Sequence, residues 1–314
     1  MNDTFGRTVD YLRLSVTGLC NYRCQYCMPA EGTPKLRHED ILRVEECVEI
    51  ARAAASCGIT KVRLTGGEPL VRQGILEICR GISEIPEISE LCLTTNGSLL
   101  PKLATSLRQA GVDRLNISLD TLNPKRFQEM SRCGQLQQTL DGITAAREAG
   151  FDRLKLNIVL IGGFNDNEIG DFLALTLDNP LEVRFIELMP MGPCANWKQS
   201  CFFPCGEILR RFPILEPIES QGVARRYRLP GAKGTVGLIE PLSHTFCSHC
   251  RRIRVTADGK LKSCLHSREE QNLRGLHGAE LEEAIRQGIL QKPPEHCLRE
   301  RSSDTPRTMN QIGG

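Results

Sequence analysis

With 314 residues, a formal net charge of +2 and 25% charged residues, the chain is long enough to bury a large core. This charge balance gives no overall basic field and argues against nucleic acid as a partner. Residues 1–10 are polar, so we expect no signal peptide, and no apolar run reaches the roughly 20 residues of a membrane span. Fifteen cysteines in such a chain favour reduced thiols and metal ligands in the cytoplasm over a secreted disulfide scaffold.

Strand and helix patterns alternate through the first two thirds of the chain. Gly58, Gly111 and Gly150 stand where helices should end, since glycine is common just past a helix. Six strand-plus-helix units in succession predict parallel strands with right-handed crossovers. Six units are too few for an eight-stranded barrel, so we predict an α/β fold, an incomplete (β/α)6-type TIM barrel. The predicted strands are 11–17, 61–65, 90–95, 114–119, 153–160 and 182–188, and the predicted helices include 39–56, 99–110, 135–149 and 167–177.

The regular alternation of strand and helix patterns ends after about residue 190, where segments become short and rich in Pro, Gly and Cys. A hairpin is predicted over 252–262, turning on Asp258 and Gly259. We therefore expect two units, a partial barrel at 1–230 and a smaller C-terminal module at 231–314.

Three cysteines with C-x3-C-x2-C spacing, Cys20, Cys24 and Cys27, follow the first predicted strand. Cubane iron–sulfur clusters normally take four cysteines. Three ligands would leave one iron without a protein ligand, where chemistry can happen. The spacing differs from that of zinc fingers, which pair cysteines with a distant second pair of ligands. The alternative is a chance cluster of buried thiols.

Polar residues recur at every second position of the predicted strands, although buried parallel strands usually read as continuous apolar runs. Period two puts each set on one side of the sheet. If that side is the barrel interior, burying unpaired cations there would cost much free energy. A polyanionic ligand would offset this cost, because Arg binds phosphates and carboxylates well. Alternatively, these residues face solvent or pair with local carboxylates. The sets are Arg13 and Ser15; Lys61, Arg63 and Thr65; Asn116, Ser118 and Asp120; Lys155 and Asn157; and Arg184.

A glycine-rich turn with Gly66 and Gly67 directly follows the second predicted strand. Two glycines allow unusual backbone angles and close approach to a ligand. At the carboxyl end of a barrel strand, where barrel active sites lie, this turn is a candidate for holding the amino group of a small molecule. Residues 94–97 occupy the same position after the third strand.

A second cysteine set, Cys247, Cys250 and Cys264, has C-x2-C-x13-C spacing. With His249 or His266 as a fourth ligand it could bind structural zinc. A second three-ligand cluster with an open iron fits better if the cations at 251–254 receive the far end of an anionic substrate. A rival set with looser spacing is Cys194, Cys201 and Cys205.

Together these motifs resemble the radical S-adenosylmethionine (SAM) superfamily and, more narrowly, its GTP 3′,8-cyclase family (molybdenum cofactor biosynthesis protein A). The terminal Gly313 and Gly314 also resemble that family's double-glycine tail, which is thought to reach the active site. The motifs are LRLSVTGLCNYRCQYCMP at 12–29, VRLTGGEPL at 62–70, LTTNG, NISLD, FIELMP at 185–190 and FCSHCRRIRVTADGKLKSCL at 246–265.

The resemblance implies two [4Fe-4S] clusters and SAM as cofactors, and GTP as substrate. It assigns the catalytic cluster to Cys20, Cys24 and Cys27, and a second cluster to Cys247, Cys250 and Cys264. The residues matching SAM-contacting positions are Tyr26, Gly67, Ser118 and Met189. Those matching GTP-contacting positions are Arg13, Arg63, Thr94, Lys155, Arg252 and Arg254, and Lys61 and Arg184 are expected as additional triphosphate contacts.

In the reaction that the resemblance implies, SAM cleavage gives a 5′-deoxyadenosyl radical that takes the 3′ hydrogen of GTP, and the ribose carbon then attacks C8 of guanine. The product would be (8S)-3′,8-cyclo-7,8-dihydroguanosine 5′-triphosphate. The implied partners are a one-electron reductant and a downstream cyclic pyranopterin monophosphate synthase, with the chain a homodimer or a monomer and no membrane partner. Two alternatives are a radical enzyme that modifies a peptide and a non-enzymatic zinc or iron–sulfur module.

Overall fold

The structure is a computed structural model, which describes residues 1–220, 222–296, 298 and 303–313. Within this part of the chain twelve strands form one sheet, in the order β12-β11-β10-β1-β2-β3-β4-β5-β6-β9-β8-β7. The strands are β1 (Tyr11–Ser15), β2 (Lys61–Thr65), β3 (Glu90–Thr95), β4 (Arg114–Ser118), β5 (Lys155–Leu160), β6 (Glu182–Glu187), β7 (Glu216–Ile218), β8 (Arg225–Arg228), β9 (Thr235–Ile239), β10 (Arg252–Val255), β11 (Lys260–Lys262) and β12 (Gln271–Asn272).

Strands β1 to β6 are parallel neighbours in chain order, and at least one helix follows each of them before the next strand of the chain. Strands β1 and β6 do not pair with each other, because β10 joins β1 and β9 joins β6, both in parallel. The barrel is therefore incomplete, which confirms the predicted fold. The helices are α1 (Val44–Ser56), α2 (Ile75–Ser83), α3 (Leu100–Gln109), α4 (Pro124–Ser131), α5 (Leu136–Glu148), α6 (Ile169–Asp178), α7 (Gly206–Arg211), α8 (Gly278–Leu290) and α9 (Met309–Ile312).

The strand faces that pack against the helices are apolar. Leu12 and Leu14 on β1 and Val62 and Leu64 on β2 are fully buried there, as period two requires when the other face carries the polar sets. The core therefore lies between sheet and helices, and the concave face of the sheet is left for polar side chains.

Helix α1 begins at Val44, so the predicted start at residue 39 is wrong. The backbone N–H of Leu42 donates to the Ala257 carbonyl at 2.8 Å, which holds the preceding segment outside the helix. The Glu46 carboxylate then accepts the N–H of Arg43 at 2.7 Å and caps the first turn.

The segment after residue 190 extends the sheet at both edges. Strands β10 and β11 form the predicted antiparallel hairpin, in which Arg254 pairs with Lys262 and Gly259 in the turn has φ +76°. Among the described residues, no helix combines the length and apolar character needed to cross a bilayer.

Candidate active site

One cavity of about 930 Å³ occupies the concave face of the sheet, near the upper end of the roughly 300–1,000 Å³ of ligand pockets. Every residue that the sequence predicts for the two clusters, for SAM and for GTP lines this cavity. The structure thus brings the predicted residues together, and their individual roles stay predictions.

The first cysteine trio lies in the loop after the carboxyl end of β1. The glycine-rich turn after β2 packs directly against this loop, because the N–H of Gly67 donates to Thr17 O and that of Glu68 donates to Leu19 O, both at 2.8 Å. A Cβ on Gly67 would overlap the Leu19 carbonyl and lie 2.9 Å from Gly18 O. Only glycine allows the two backbones to approach so closely.

The thiols of the first trio are close enough to influence one another's protonation. Burial raises the pKa of Cys24 well above its usual value, and the neighbouring sulfurs of Cys27 and Cys20 raise it further. Burial likewise raises the pKa of Cys20 to about 11 and that of Cys27 to about 12. Three free, half-buried thiols in one loop are a donor set that fits an iron–sulfur cluster.

The residues predicted to contact SAM come from four separate elements around the first trio. Tyr26 lies in the trio loop and donates its hydroxyl to Asp120 at 2.9 Å. Ser118 ends β4, and Met189 follows β6. Burial raises the pKa of Asp120 to about 6, although the N–H of Val159 and the Tyr26 hydroxyl oppose the rise.

Glu68, in the glycine-rich turn, is a structural residue whose role is not evident from the sequence. Its carboxylate is 1% exposed and accepts the Thr95 hydroxyl at 2.8 Å and the N–H of Asn96 at 2.7 Å. It therefore joins the turn after β2 to the turn after β3. Its position between the glycines and Pro69 was visible in the sequence, but its partners depend on how β2 and β3 pair.

The second cysteine trio lies at the opposite end of the cavity. Cys247 and Cys250 precede β10, whose residue Arg252 pairs with Tyr11 at the amino end of β1. Cys264 follows β11, which runs back antiparallel to β10. Strand β1 therefore separates the two trios, five residues at about 3.3 Å each.

The second trio is also a close group. Burial raises the pKa of Cys247, the N–H of His296 opposes the rise, and the Cys250 and Cys264 sulfurs add to it. Burial also tends to raise the pKa of Cys250. The charges of Arg252 and Lys292 outweigh this effect and lower that pKa to about 6. A thiol held as thiolate suits metal binding.

Within the described ranges, no three His, Cys, Asp or Glu side chains converge closely enough to hold a single metal ion. The cysteines with His249 or His266 thus do not form a zinc site here. A cubane cluster bonds each thiolate to a different iron, so its ligands need not converge on one point.

The rival set of Cys194, Cys201 and Cys205 does not form a site. Cys194 is 3% exposed and donates its thiol to the carbonyls of Met189 and Met191, while Cys205 packs in a different part of the core. These cysteines therefore act as small core residues.

Cations line the wall between the two trios, and two carboxylates pair with some of them. Glu90, at the amino end of β3, contacts Lys61 and lies 2.6 Å from Arg114 Nε. The sequence left open whether the strand cations pair with local carboxylates. Lys61 does form such a pair, with Glu90.

Glu182, at the amino end of β6, repeats the arrangement. Its carboxylate lies 2.9 Å from Lys155 Nζ and also contacts Arg184. Burial lowers the pKa of Lys155 to about 8, and the Arg184 charge lowers it further while Glu182 opposes the change.

The other cations of the wall lie close to one another, and the contacts described for Arg63 and Arg254 are to neutral oxygens. Arg63 is 3% exposed and its guanidinium donates to the Tyr11 hydroxyl and, at 3.4 Å, to Thr94. Burial lowers the pKa of Arg254 well below its usual value, and the charges of Arg13 and Arg252 lower it further. Crowded, buried cations of this kind attract an anionic ligand.

The C-terminal segment enters the same cavity wall. Arg254 Nη1 donates to the Gly313 carbonyl at 2.7 Å, and Ile312 is fully buried. Gly313 has φ +82°, and a Cβ there would overlap the Thr65 hydroxyl. The tail therefore reaches the interior as far as Gly313; Gly314 lies outside the described residues.

Comparisons with known proteins show the family to which the chain belongs. The family model of the Radical SAM superfamily matches residues 14–176, and that of Molybdenum Cofactor Synthesis C matches residues 181–298. The GTP 3′,8-cyclase of Alkaliphilus oremlandii (strain OhILAs) is 47% identical over 100% of both chains. That of Geobacter sulfurreducens is 49% identical over 99% of both chains.

Solved structures resemble the chain in fold. Streptococcus suis SuiB bound to S-adenosylmethionine gives a TM-score of 0.61 at 15% identity, covering 97% of this chain and 75% of that one. At that identity the likeness shows the fold alone and does not favour a peptide substrate. The two GTP 3′,8-cyclases do show the family, because each matches this chain along nearly its whole length at 47% and 49% identity. The chain belongs to the radical SAM superfamily and, within it, to the GTP 3′,8-cyclase family.

Proposed function

We propose that this cavity converts GTP to (8S)-3′,8-cyclo-7,8-dihydroguanosine 5′-triphosphate, the GTP 3′,8-cyclase reaction of molybdenum cofactor biosynthesis. The observation that carries the proposal is a single cavity with a cysteine trio at each end and arginines and lysines between them. A peptide-modifying enzyme would need an open groove, and such a lining suits a triphosphate instead.

Each cysteine trio would hold one [4Fe-4S] cluster through its three thiolates. Cys20, Cys24 and Cys27 hold the catalytic cluster beside Tyr26, where SAM binds. When bound, the reduced cluster supplies the electron that cleaves the sulfonium of SAM. The remaining residues position SAM: the backbone at Gly67 faces its methionine end, and Ser118 and Met189 enclose the rest.

The cations fix GTP between the two trios. Arg63, Lys155, Arg184 and Lys61 would hold the triphosphate through charge-assisted hydrogen bonds, with Thr94 as a neutral donor. Arg13, Arg252 and Arg254 lie toward the second trio and would hold the guanine end of GTP beside the cluster that Cys247, Cys250 and Cys264 would bind. Fixing both ends of the nucleotide brings the ribose and C8 into a reactive arrangement and excludes water.

The test is anaerobic turnover of reconstituted protein with GTP, SAM and a chemical reductant. We expect GTP-dependent 5′-deoxyadenosine together with a cyclised nucleotide, and about eight irons per chain from two cubane clusters. Cys24→Ala should abolish both products, whereas Cys57→Ser, at a cysteine outside the cavity whose thiol donates to Glu282 O at 3.4 Å, should retain them. Formation of 5′-deoxyadenosine without a cyclised nucleotide would contradict the proposal.

The reaction needs a one-electron reductant, and a cyclic pyranopterin monophosphate synthase would consume the product. Reduced thiols as cluster ligands suit the cytoplasm. The division into residues 1–230 and 231–314 and the choice between homodimer and monomer stay predictions.

A further inference from the structure

A short segment after α8, residues 292–296, packs against the second trio and touches two of its sulfurs. Lys292 Nζ donates to Cys250 Sγ at 3.8 Å, and the backbone N–H of His296 donates to Cys247 Sγ at 3.4 Å. Neither residue was singled out in the sequence, because nothing local links them to cysteines more than 40 positions away.

Lys292 is a buried cation with a fixed head group. Its side chain is 3% exposed, and Nζ donates to Arg252 O at 2.8 Å and to Ser263 O at 2.9 Å. Within the described part of the chain, no carboxylate forms an ion pair with it. Because burial of an ammonium without an opposite charge is costly, the neighbouring sulfur of Cys250 is the group that can offset its charge.

The N-terminal segment holds residues 292–296 in place. Arg7 Nη1 donates to Pro294 O at 2.9 Å and to Cys247 O at 3.0 Å, and Nη2 donates to Pro293 O at 2.7 Å. Arg7 is itself 8% exposed and pairs with Asp3. Lys292 is therefore held in place against Cys250, unlike a surface lysine that can adopt many positions.

We propose that Lys292 is a positioning residue that raises the reduction potential of the second cluster through the Cys250 sulfur. The inference rests on the proposed assignment of that cluster to Cys247, Cys250 and Cys264. Hydrogen bonds to sulfur and nearby charge are the means by which proteins set the potential of such clusters. Reduction adds negative charge, so a cation at the sulfur favours the reduced form.

The experiment is a redox titration of the second cluster, followed by its electron paramagnetic resonance signal. It uses the full chain with the Cys24→Ala background, in which the first cluster is removed. We compare Lys292→Met with the background itself and with Lys260→Met, a lysine of the β10–β11 hairpin whose ammonium contacts Asn272 at 3.1 Å.

We expect Lys292→Met to keep its iron while the reduction equilibrium shifts at least tenfold toward the oxidised form, about 59 mV for one electron. Lys260→Met should leave the potential unchanged, and Lys292→Arg, which restores a cation, should recover most of the shift. Equal potentials for Lys292→Met and the background would overturn the proposal.

Two other outcomes are also decisive. If Lys292→Met and Lys292→Gln are both folded but lose the iron, Lys292 holds the cluster in place, and the proposed effect on potential is wrong. If the Cys24→Ala background itself contains no iron, the assignment of the second cluster fails, and the proposed function fails with it.

Discussion

Arg63 offers the sharpest test of the cation-lined cavity. Its guanidinium is 3% exposed and bonds only to neutral oxygens, those of Tyr11, Leu93 and Thr94, among the contacts of the described residues. A triphosphate would therefore gain a charge-assisted hydrogen bond without first breaking an ion pair. Such bonds contribute about 1.5–3 kcal/mol.

Arg63→Met should therefore weaken GTP binding by about 10- to 150-fold, since each 1.4 kcal/mol is roughly tenfold. Lys61→Met is the comparison, because the Lys61 ammonium already contacts Glu90 on the neighbouring strand. That carboxylate competes with phosphate for the same charge, so we expect a loss below about tenfold.

The assay is equilibrium GTP binding under anaerobic conditions, with iron content and thermal unfolding measured in parallel. Both variants should keep the iron of the parent chain. The predicted role of Arg63 is wrong if Arg63→Met binds GTP within about twofold of the parent while Lys61→Met loses more than about tenfold in GTP affinity. Loss of iron in Arg63→Met would instead give Arg63 a structural role.

Three further variants probe the turn after β2, a buried carboxylate and a lysine of the cavity wall. Gly67→Ala should lower the iron content and SAM binding, because its Cβ would overlap the Leu19 carbonyl. Glu187→Gln should lower the free energy of unfolding by about 1–3 kcal/mol in urea titrations, since the buried carboxylate accepts three backbone N–H groups, among them that of Ser243 at 3.0 Å. GTP affinity should fall as the pH rises above about 8, where Lys155 loses its proton, and Lys155→Arg should remove this fall.

Matched variants separate these effects from general damage. Gly18→Ala lies in the same loop as the carbonyl that Gly67 approaches, but its Cβ would meet no atom within 4 Å, so iron should stay. Glu219→Gln is exposed and should leave unfolding unchanged. A GTP affinity that is flat above pH 8 in the parent chain would show that the charge of Lys155 does not contribute to binding.

Much of the site was predictable because its signals are local. The trio at Cys20, Cys24 and Cys27 lies within one loop. The alternation of side chains along each strand indicates that Arg63 and Lys155 lie on the same face of the sheet as the other polar residues of their strands. Both signals need only a few consecutive residues. The same is true of the hairpin that carries Arg254.

What the sequence did not reveal depends on strand register. Glu90 pairs with Lys61 across β2 and β3, and Glu182 pairs with Lys155 across β5 and β6, as directly opposed residues. Alternation shows which face a residue occupies but not which residue on the next strand lies opposite. The contact between Lys292 and the second trio is harder still, because it depends on where α8 ends relative to β10.

The register pairs also explain how the barrel can enclose its cations before a nucleotide binds. Glu90 and Glu182 each lie between two cations, so each group of three keeps a net positive charge. Partial pairing offsets some of the desolvation cost, whereas complete neutralisation would leave little attraction for a triphosphate. The contacts described for Arg63 and Arg254 are instead to neutral oxygens, so a ligand can reach these two side chains without breaking those ion pairs. An incoming polyanion would therefore displace these neutral contacts first, and the paired cations would contact it while sharing their charge with Glu90 and Glu182.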